Sequence, residues 1–220
     1  MKIPRLPKGF TLIELLVVIS IIAVLASLAV PAVTGALVKG QLIQAVNNAR
    51  QIHLATSSMA NDATANSDPS IGWPGDVANL ANTSDFVNIL ASYDYLKPGD
   101  MKVFAAAGIT PYTTGTVSGT SGLSPKFSST TPNSAFLVYT VSDNDASNVI
   151  FLTSKNYNFT APDKAPDAAT KPFGDKGFVV CRKGGDCSVY KKQQLMTTTG
   201  IAAMGSATSG TASLKVLGDN

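Results

Sequence analysis

The sequence predicts an α+β protein in which one long amino-terminal helix packs against a small antiparallel sheet. Three patterns predict it: an uncharged apolar run from Leu15 to Val38, an amphipathic continuation of that run, and two pairs of β-rich segments late in the chain. Only 14% of the 220 residues are charged, whereas about a quarter is usual. This composition fits an exported structural protein with one membrane helix and one modest globular head.

The chain opens with a basic leader that is followed at once by the apolar run. Lys2, Arg5 and Lys8 lead into Gly9-Phe10-Thr11-Leu12-Ile13-Glu14, and Glu14 is the only glutamate in the protein. A charged side chain at membrane depth costs about 2.5–3.5 kcal/mol on insertion scales, and such residues usually serve a function. Glu14 therefore predicts a partner of opposite charge.

The string from Lys8 to Glu14 resembles the processing signal of type IV prepilins and of the pseudopilins of type II secretion. The resemblance implies a pilin-like fold, and a prepilin peptidase that cuts between Gly9 and Phe10 and methylates the new amine of Phe10. It also implies residence in the bacterial inner membrane as a single-pass protein before assembly into a periplasmic or cell-surface filament. The implied partners are an inner-membrane assembly platform, copies of the same chain and other pilins. Glu14 would pair with the Phe10 amine of a neighbouring subunit, since two buried charges are tolerated best together.

Two other interpretations of the amino terminus compete with this one. An ordinary secretory signal peptide would have a basic start, an apolar centre and a small-residue cleavage site at Val30-Pro31-Ala32. The second interpretation is a plain membrane anchor, because Leu15 to Val38 is long enough to cross a bilayer of about 30 Å. Neither interpretation explains a glutamate beside the basic leader.

The apolar pattern beyond the membrane run is that of a helix with one face on a core. Apolar residues recur at spacings of three, four and seven; they are Val38, Leu42, Ala45, Ala49, Ile52 and Met59. We predict one helix from about Thr11 to Ala60, kinked at Pro31 because proline removes a backbone hydrogen bond. Ile43 and Leu54 share a different face, where they either contact neighbouring subunits or widen the core stripe. The breadth of the apolar stripe on globular helices favours widening.

The predicted organisation has five parts. They are a leader (1–9), the membrane and assembly half of the helix (10–33), its amphipathic half (34–60), an α+β head (61–192) and a Gly-, Ser-, Thr- and Ala-rich tail (193–220). The predicted exit from the helix is a polar loop that starts at Asn61, and Trp73 lies between turn residues that should pin a loop onto the core. Ser84 is the predicted N-cap of a short helix. The tail has little to bury, so we expect it to be loosely draped or mobile.

Two β-hairpins are predicted in the second half of the head. Four β-branched and aromatic runs predict their strands: 136–141, 149–153, 177–181 and 187–191. The second hairpin turns at 182–186, which contains two glycines. A small sheet of this kind needs a partner for its apolar face, and the long helix is the obvious one.

Cys181 and Cys187 are the only cysteines, and they flank the turn of that second hairpin. In an exported chain, two cysteines that can face each other across strands indicate a disulfide. A metal site would need two further ligands, and the nearest histidine is far away in sequence.

The loop of residues 143–148 is rich in oxygen ligands. Asp143, Asp145 and Asn148 are candidate calcium ligands by type, and the resemblance allows the same, because some major pseudopilins bind calcium in a head loop. The alternative is a plain turn held by its own Asx hydrogen bonds. No other cofactor is expected.

The balance of charged residues and the position of the only histidine argue against other classes of function. Three of the 17 basic residues lie in the leader, which leaves 14 basic against 14 acidic residues, so there is no electrostatic case for nucleic-acid binding. His53, the only histidine, lies near the core stripe of the helix, where a structural role is expected rather than catalysis. A filament subunit without enzymatic activity is thus predicted. The alternatives are a minor or tip pilin of a type IV pilus, or a membrane-anchored or secreted binding protein whose leader mimics the motif.

Overall fold

A computed structural model describes residues 9–78, 80–106, 108–109, 134–159, 166, 169–196, 208–209, 212–213 and 215–218. Its helices are α1 (Leu12–Asn66) and α2 (Thr83–Ser92), with two 3-10 helices at Pro98–Phe104 and Lys192–Met196. Its strands are β1 (Phe136–Val138), β2 (Ile150–Ser154), β3 (Phe178–Arg182), β4 (Cys187–Tyr190), β5 (Thr208–Ser209) and β6 (Ala212–Ser213). The chain divides into two compact units between Gly40 and Gln41; the second unit is called the head below.

The amino-terminal unit consists of the apolar half of α1. Its apolar side chains are exposed on every side of the helix, and α1 is long and apolar enough to cross a membrane. The helix continues through Pro31, and the Thr34 hydroxyl donates a hydrogen bond of 2.9 Å to the Pro31 carbonyl oxygen. The kink at Pro31 stays a prediction.

The helix α1 ends six residues later than predicted, so the prediction of a polar loop from Asn61 is wrong. Ser67 adopts a positive φ of 53°, and the N–H of Asp68 donates to the carbonyl oxygen of Ala63 at 3.0 Å. Together they form the closing turn that ends many helices. A hydrogen bond of 2.7 Å from the Tyr95 hydroxyl to the Asp62 carboxylate holds the additional turns against the head.

The four longer strands form one antiparallel sheet in the order β1-β2-β3-β4. Both predicted hairpins are therefore confirmed, and the register pairs Val180 with Ser188 and Cys181 with Cys187. The head portion of α1 packs on this sheet, where Leu42 lies against Gly177 and the Arg50 guanidinium donates to the Cys187 carbonyl oxygen at 3.4 Å. The predicted α+β class, with a long helix on a small antiparallel sheet, is confirmed.

The core face of α1 is slightly broader than the predicted stripe, but it does not extend as far as Ile43 and Leu54. Val46 and His53 are buried on the flank nearer to those two residues, whereas Ile43 and Leu54 are 61% and 64% exposed. The favoured interpretation of Ile43 and Leu54 as part of the core is therefore wrong. How far round α1 the head packs decides where the buried face ends.

Trp73 is buried, as predicted for an aromatic that pins a loop. The N-cap of α2 is Asn82 rather than the predicted Ser84, which is buried in the first turn. The reason lies at the other end of the chain, since the N–H of Thr83 donates to the Gly218 carbonyl oxygen at 3.1 Å and so fixes where α2 starts.

Part of the carboxyl-terminal tail is packed rather than loosely draped. The N–H of Leu217 donates to the Val138 carbonyl oxygen and that of Thr140 to the Lys215 carbonyl oxygen, both at 2.9 Å. The Leu217 side chain is only 2% exposed. Residues 215–218 thus cover the edge of the sheet beside β1, and the expectation of a tail with little to bury is wrong for this segment.

Candidate functional site

The first turn of α1 is closed by a reciprocal pair of hydrogen bonds between Thr11 and Glu14. The Glu14 carboxylate oxygen Oε2 accepts from the Thr11 N–H at 2.9 Å and from the Thr11 hydroxyl at 2.7 Å. The Thr11 hydroxyl oxygen in turn accepts from the Glu14 N–H at 3.3 Å. This is a capping box, which satisfies N–H groups that a helix start otherwise leaves without partners.

Sequence reasoning missed the role of Thr11, although the signal was present. The spacing Thr-x-x-Glu directly before an apolar run is the pattern of a capping box. Glu14 therefore has a local structural role in addition to the assembly role predicted for it. Its other carboxylate oxygen, Oε1, accepts no hydrogen bond from any residue in the described part of the chain.

The predicted cleavage position lies immediately before this cap. Gly9 and Phe10 are exposed residues that precede the helix and belong to no helix or strand. Phe10, Ile13, Glu14, Val17 and Val18 line one shallow groove on the helix surface, so the ring of Phe10 and the carboxylate of Glu14 share a face. The geometry leaves the peptide bond between Gly9 and Phe10 accessible.

The turn between β3 and β4 carries the predicted disulfide. The Cys181 and Cys187 sulfurs are bonded, directly across the two strands. The Arg182 N–H donates to the Asp186 carbonyl oxygen at 2.9 Å, and their side chains form an ion pair. The turn is therefore closed by a covalent bond, a backbone hydrogen bond and an ion pair within seven residues.

His53 connects α1 to this turn, which agrees with its predicted structural role. Its Nε2 atom lies 2.6 Å from the Lys183 carbonyl oxygen, and because a carbonyl only accepts, Nε2 carries the hydrogen. The imidazole packs between the rings of Trp73 and Phe151, at centroid distances of 5.8 and 6.0 Å. Gly185 permits this approach, since a Cβ there would lie 3.0 Å from the imidazole.

The candidate calcium loop already contains a cation of the protein's own. The Lys183 ammonium group donates hydrogen bonds to the carbonyl oxygens of Asp143 and Asp145, the second at 2.7 Å. It also lies 5.6 Å from the centroid of the Trp73 ring, within cation–π range. A calcium ion that used these carbonyl oxygens would have to displace the ammonium group.

Local hydrogen bonds engage one carboxylate of the loop and one carboxylate beside it. Asp145 accepts from the Ser142 N–H, and Asp76 accepts from the Asp143 N–H, both at 2.7 Å. Within the described residues, no three His, Cys, Asp or Glu side chains are grouped closely enough to hold a metal ion. The structure thus brings together Asp143 and Asp145 around Lys183, and the calcium site of Asp143, Asp145 and Asn148 stays a prediction.

Comparison with known proteins identifies a sequence motif at the amino terminus. Residues 5–30 match a family model described as the prokaryotic N-terminal methylation motif. The chain also has the long helix and the antiparallel sheet of a pilin-like fold. The protein is type IV pilin-like. The resemblance predicted from Gly9 to Glu14 is thereby confirmed.

Curated relatives of this pilin-like protein include type IV major fimbrial proteins FimA of Dichelobacter nodosus. One is 35% identical over 68 residues, which cover 31% of this chain and 44% of the relative. A second is 39% identical over 72 residues, which cover 32% of this chain and 45% of the relative. The pilin-like chain thus spans less than half the length of the curated relatives it matches. No solved structure matches it.

Proposed function

We propose that this pilin-like protein is a structural subunit, not an enzyme, of a type IV pilus-like or type II secretion pseudopilus filament. The observation that carries the proposal is Glu14, the only glutamate in the chain, which lies inside a methylation motif on an apolar helix. Prepilin peptidase cleaves between Gly9 and Phe10 and methylates the Phe10 amine. Glu14 then pairs with the Phe10 amine of a neighbouring subunit as the filament grows.

The amino-terminal half of α1 supports the proposal through its exposed surface. Its large apolar side chains are exposed all round the helix, so they need lipid, or other helices, around them. Before assembly the bilayer of the inner membrane supplies these contacts. In the filament the same half-helices of neighbouring subunits supply them, and the membrane platform and other pilins take part in the transfer.

The capping box fits both stages. It uses only atoms of Thr11 and Glu14, so cleavage before Phe10 leaves it in place. One carboxylate oxygen holds the helix start while the other stays available for the amine of a neighbour. The methylated amine of Phe10 and the Glu14 carboxylate are four residues apart in one chain. A partner in a second subunit, staggered along the axis, brings the opposite charges together.

Two alternatives remain distinct from this function. The first is a minor or tip pilin, and the similarity to proteins described as major fimbrial subunits favours a place in the filament body instead. The second is a membrane-anchored or secreted binding protein whose leader mimics the motif, and the pilin-like head argues against it.

The first experiment is the intact mass and amino-terminal sequence of the protein purified from its native host. We expect a chain that starts at N-methylated Phe10. A start after Ala32 would instead mean ordinary secretion, and an unprocessed start at Met1 would mean a plain anchor. Either of those two results contradicts the proposal.

The second experiment separates the charge of Glu14 from its capping role. In Glu14→Gln the side-chain amide oxygen still accepts from Thr11, so the helix start is kept while the charge is lost. We expect this variant to be processed and inserted in the membrane but to form no filaments in sheared-cell fractions.

The matched control is Thr11→Ala, which removes the capping hydroxyl at a cost of about 1 kcal/mol and keeps the charge. We expect it to form filaments. If Glu14→Gln assembles as the wild type does, charge pairing is not what drives assembly.

A further inference from the structure

Lysines gather at the end of the head where Leu42 lies. We call Lys102, Lys176, Lys191 and Lys192 the basic end; all four are exposed. A Cβ on Gly177 would lie 3.1 Å from Leu42 and 3.2 Å from the Tyr190 carbonyl oxygen, so the neighbouring Lys176 and Lys191 flank this part of α1. Lys102 lines a groove of about 440 Å³ beside Gln41 and Gln44.

Aspartates gather at the opposite end of the head, where α1 finishes. We call Asp62, Asp68, Asp76, Asp94 and Asp143 the acidic end. Three of them, Asp68, Asp76 and Asp143, line one cleft of about 200 Å³ together with Ala63. Asp94 lies at the same end, because both of its neighbours in the chain form hydrogen bonds there. The Tyr93 hydroxyl lies 3.0 Å from the Ser70 hydroxyl, and the Tyr95 hydroxyl donates to the Asp62 carboxylate at 2.7 Å.

The acidic end has little compensation within the described part of the chain. No basic residue lies in the last turn of α1, whose carboxyl terminus adds a partial negative charge of its own. Lys183 is nearby, but its ammonium group is bonded to the carbonyl oxygens of Asp143 and Asp145. Hydrogen bonds from the hydroxyl and then the N–H of Ser70 lower the pKa of Asp68 and so favour its charged form.

The two ends are far enough apart that they do not neutralise each other. From Leu42 to Ala63 the helix rises about 30 Å at 1.5 Å per residue. The Debye length at physiological ionic strength is about 8 Å. Asp100 and Asp175 lie next to lysines of the basic end, and Asp175 pairs with Lys176 at 3.3 Å, yet lysines remain in excess there. Each copy therefore presents two separate surfaces of opposite sign.

We propose that the acidic end of one copy of this protein docks on the basic end of a second copy, in a head-to-tail contact between heads. The inference rests on the proposed function and deepens it, because a heterologous contact whose rotation does not close repeats along an axis and builds a filament. The occupant is a second copy because the complementary surface is present on the same chain. Charge pairs at such a contact set register and the rate of docking more than affinity.

The test is a reciprocal charge reversal in the full-length chain. One variant carries Lys191→Asp and Lys192→Asp, another carries Asp62→Lys, Asp68→Lys and Asp143→Lys, and a third combines all of these substitutions. Three aspartates are replaced because two would leave the acidic end negative. Each single-end reversal should lower the filament yield at least about tenfold, since like charges then face each other. The combined variant restores opposite signs and should recover a yield close to that of the wild type.

A matched control separates the charge of the acidic end from the shape of its side chains. Asp62→Asn with Asp68→Asn and Asp143→Asn keeps that shape, and should weaken assembly less than the lysine variants do. The fluorescence of Trp73 shows whether each variant is folded.

Cross-linking gives a readout that does not depend on filaments. Both native cysteines are in the disulfide, so introduced cysteines are the only free thiols. When Asp62→Cys and Lys191→Cys copies are expressed together, a short bis-maleimide should join them. Two Asp62→Cys copies should not be joined.

The outcomes distinguish the two proposals. If the wild type forms no filaments, the proposed function fails. If the wild type assembles and single-end reversals assemble equally well, or the combined variant does not recover, the head-to-tail contact is wrong while the filament function stands.

Discussion

The Nε2 atom of His53 donates a hydrogen bond of 2.6 Å to the carbonyl oxygen of Lys183, and so ties the long helix to the turn between β3 and β4. These two residues are 130 positions apart in the chain. The same turn carries the disulfide on its two sides and sends the Lys183 side chain into the loop after β1. His53 therefore anchors β3, β4 and the loop after β1 to α1, and its replacement should destabilise all three segments.

Replacement of His53 by phenylalanine should destabilise the head by about 1–3 kcal/mol. The phenyl ring keeps the packing on Trp73 and Phe151 but leaves the Lys183 carbonyl oxygen without its donor. Urea unfolding followed by the fluorescence of Trp73, the only tryptophan, measures this directly. The control is Leu54→Ala on the exposed face of the same helix, which should change stability by less than about 0.5 kcal/mol. Equal losses for both variants would contradict the anchoring role.

Reduction of the Cys181–Cys187 disulfide should lower the free energy of unfolding by about 2 kcal/mol, the chain-entropy figure for so short a loop. The loss should appear as a lower urea midpoint in the presence of a reductant. The variant with Cys181→Ala and Cys187→Ala should show that lower midpoint with or without reductant. A reductant effect that persists in this variant would mean that the disulfide is not its cause.

Calcium should leave the stability of the wild-type protein unchanged. The Lys183 ammonium group already occupies the carbonyl oxygens of Asp143 and Asp145. Lys183→Met keeps the apolar stem on the Trp73 ring and removes the ammonium group, and should cost about 1 kcal/mol. Urea unfolding of both proteins in calcium and in a chelator is the measurement. A higher midpoint for the wild type in calcium would instead favour the calcium site predicted from Asp143, Asp145 and Asn148.

The features that the sequence predicts well are those with a local signal. The strand runs around Val138 and Val180 are β-branched and aromatic, so their pairing into hairpins follows from nearest neighbours along the chain. The disulfide follows from the position of Cys181 and Cys187 on either side of one turn. The methylation motif is likewise contiguous, from Gly9 to Glu14.

The features that it misses depend on contacts between distant segments. The exposure of Ile43 depends on which side of α1 the sheet covers, and periodicity alone does not contain that choice. The burial of Leu217 depends on pairing with Val138 across nearly eighty residues, in a tail whose composition suggests nothing to bury. The position of the Lys183 ammonium group in the candidate calcium loop depends on two segments, the loop of residues 143–148 and the turn between β3 and β4.

Tyr139 and Tyr157 form a matched pair for the energetics of buried hydroxyls, since both side chains are almost completely buried. The Tyr139 hydroxyl lies 3.1 Å from the Thr153 hydroxyl and accepts from the Phe159 N–H at 2.7 Å. The Tyr157 hydroxyl has no hydrogen-bond partner among the described residues. Tyr139→Phe should therefore destabilise the head by about 1–2 kcal/mol, whereas Tyr157→Phe should be neutral or stabilising. Urea midpoints at neutral pH decide this, and a larger loss for Tyr157→Phe would contradict it.

The same two tyrosines should make the head unstable in alkali. Burial raises the pKa of Tyr139 to about 12, and burial together with the nearby Tyr139 raises the pKa of Tyr157 to about 12. In the unfolded chain both titrate near pH 10. Between these values the folded protein binds more protons than the unfolded one, so the free energy of unfolding falls as pH rises. The contribution is complete below about pH 10 and is lost as pH approaches 12. Unfolding midpoints measured from pH 8 to pH 12 should show this decline for the wild type, and a shallower decline for Tyr157→Phe, which has one fewer group to ionise. An identical slope for that variant would mean that other groups control alkaline unfolding.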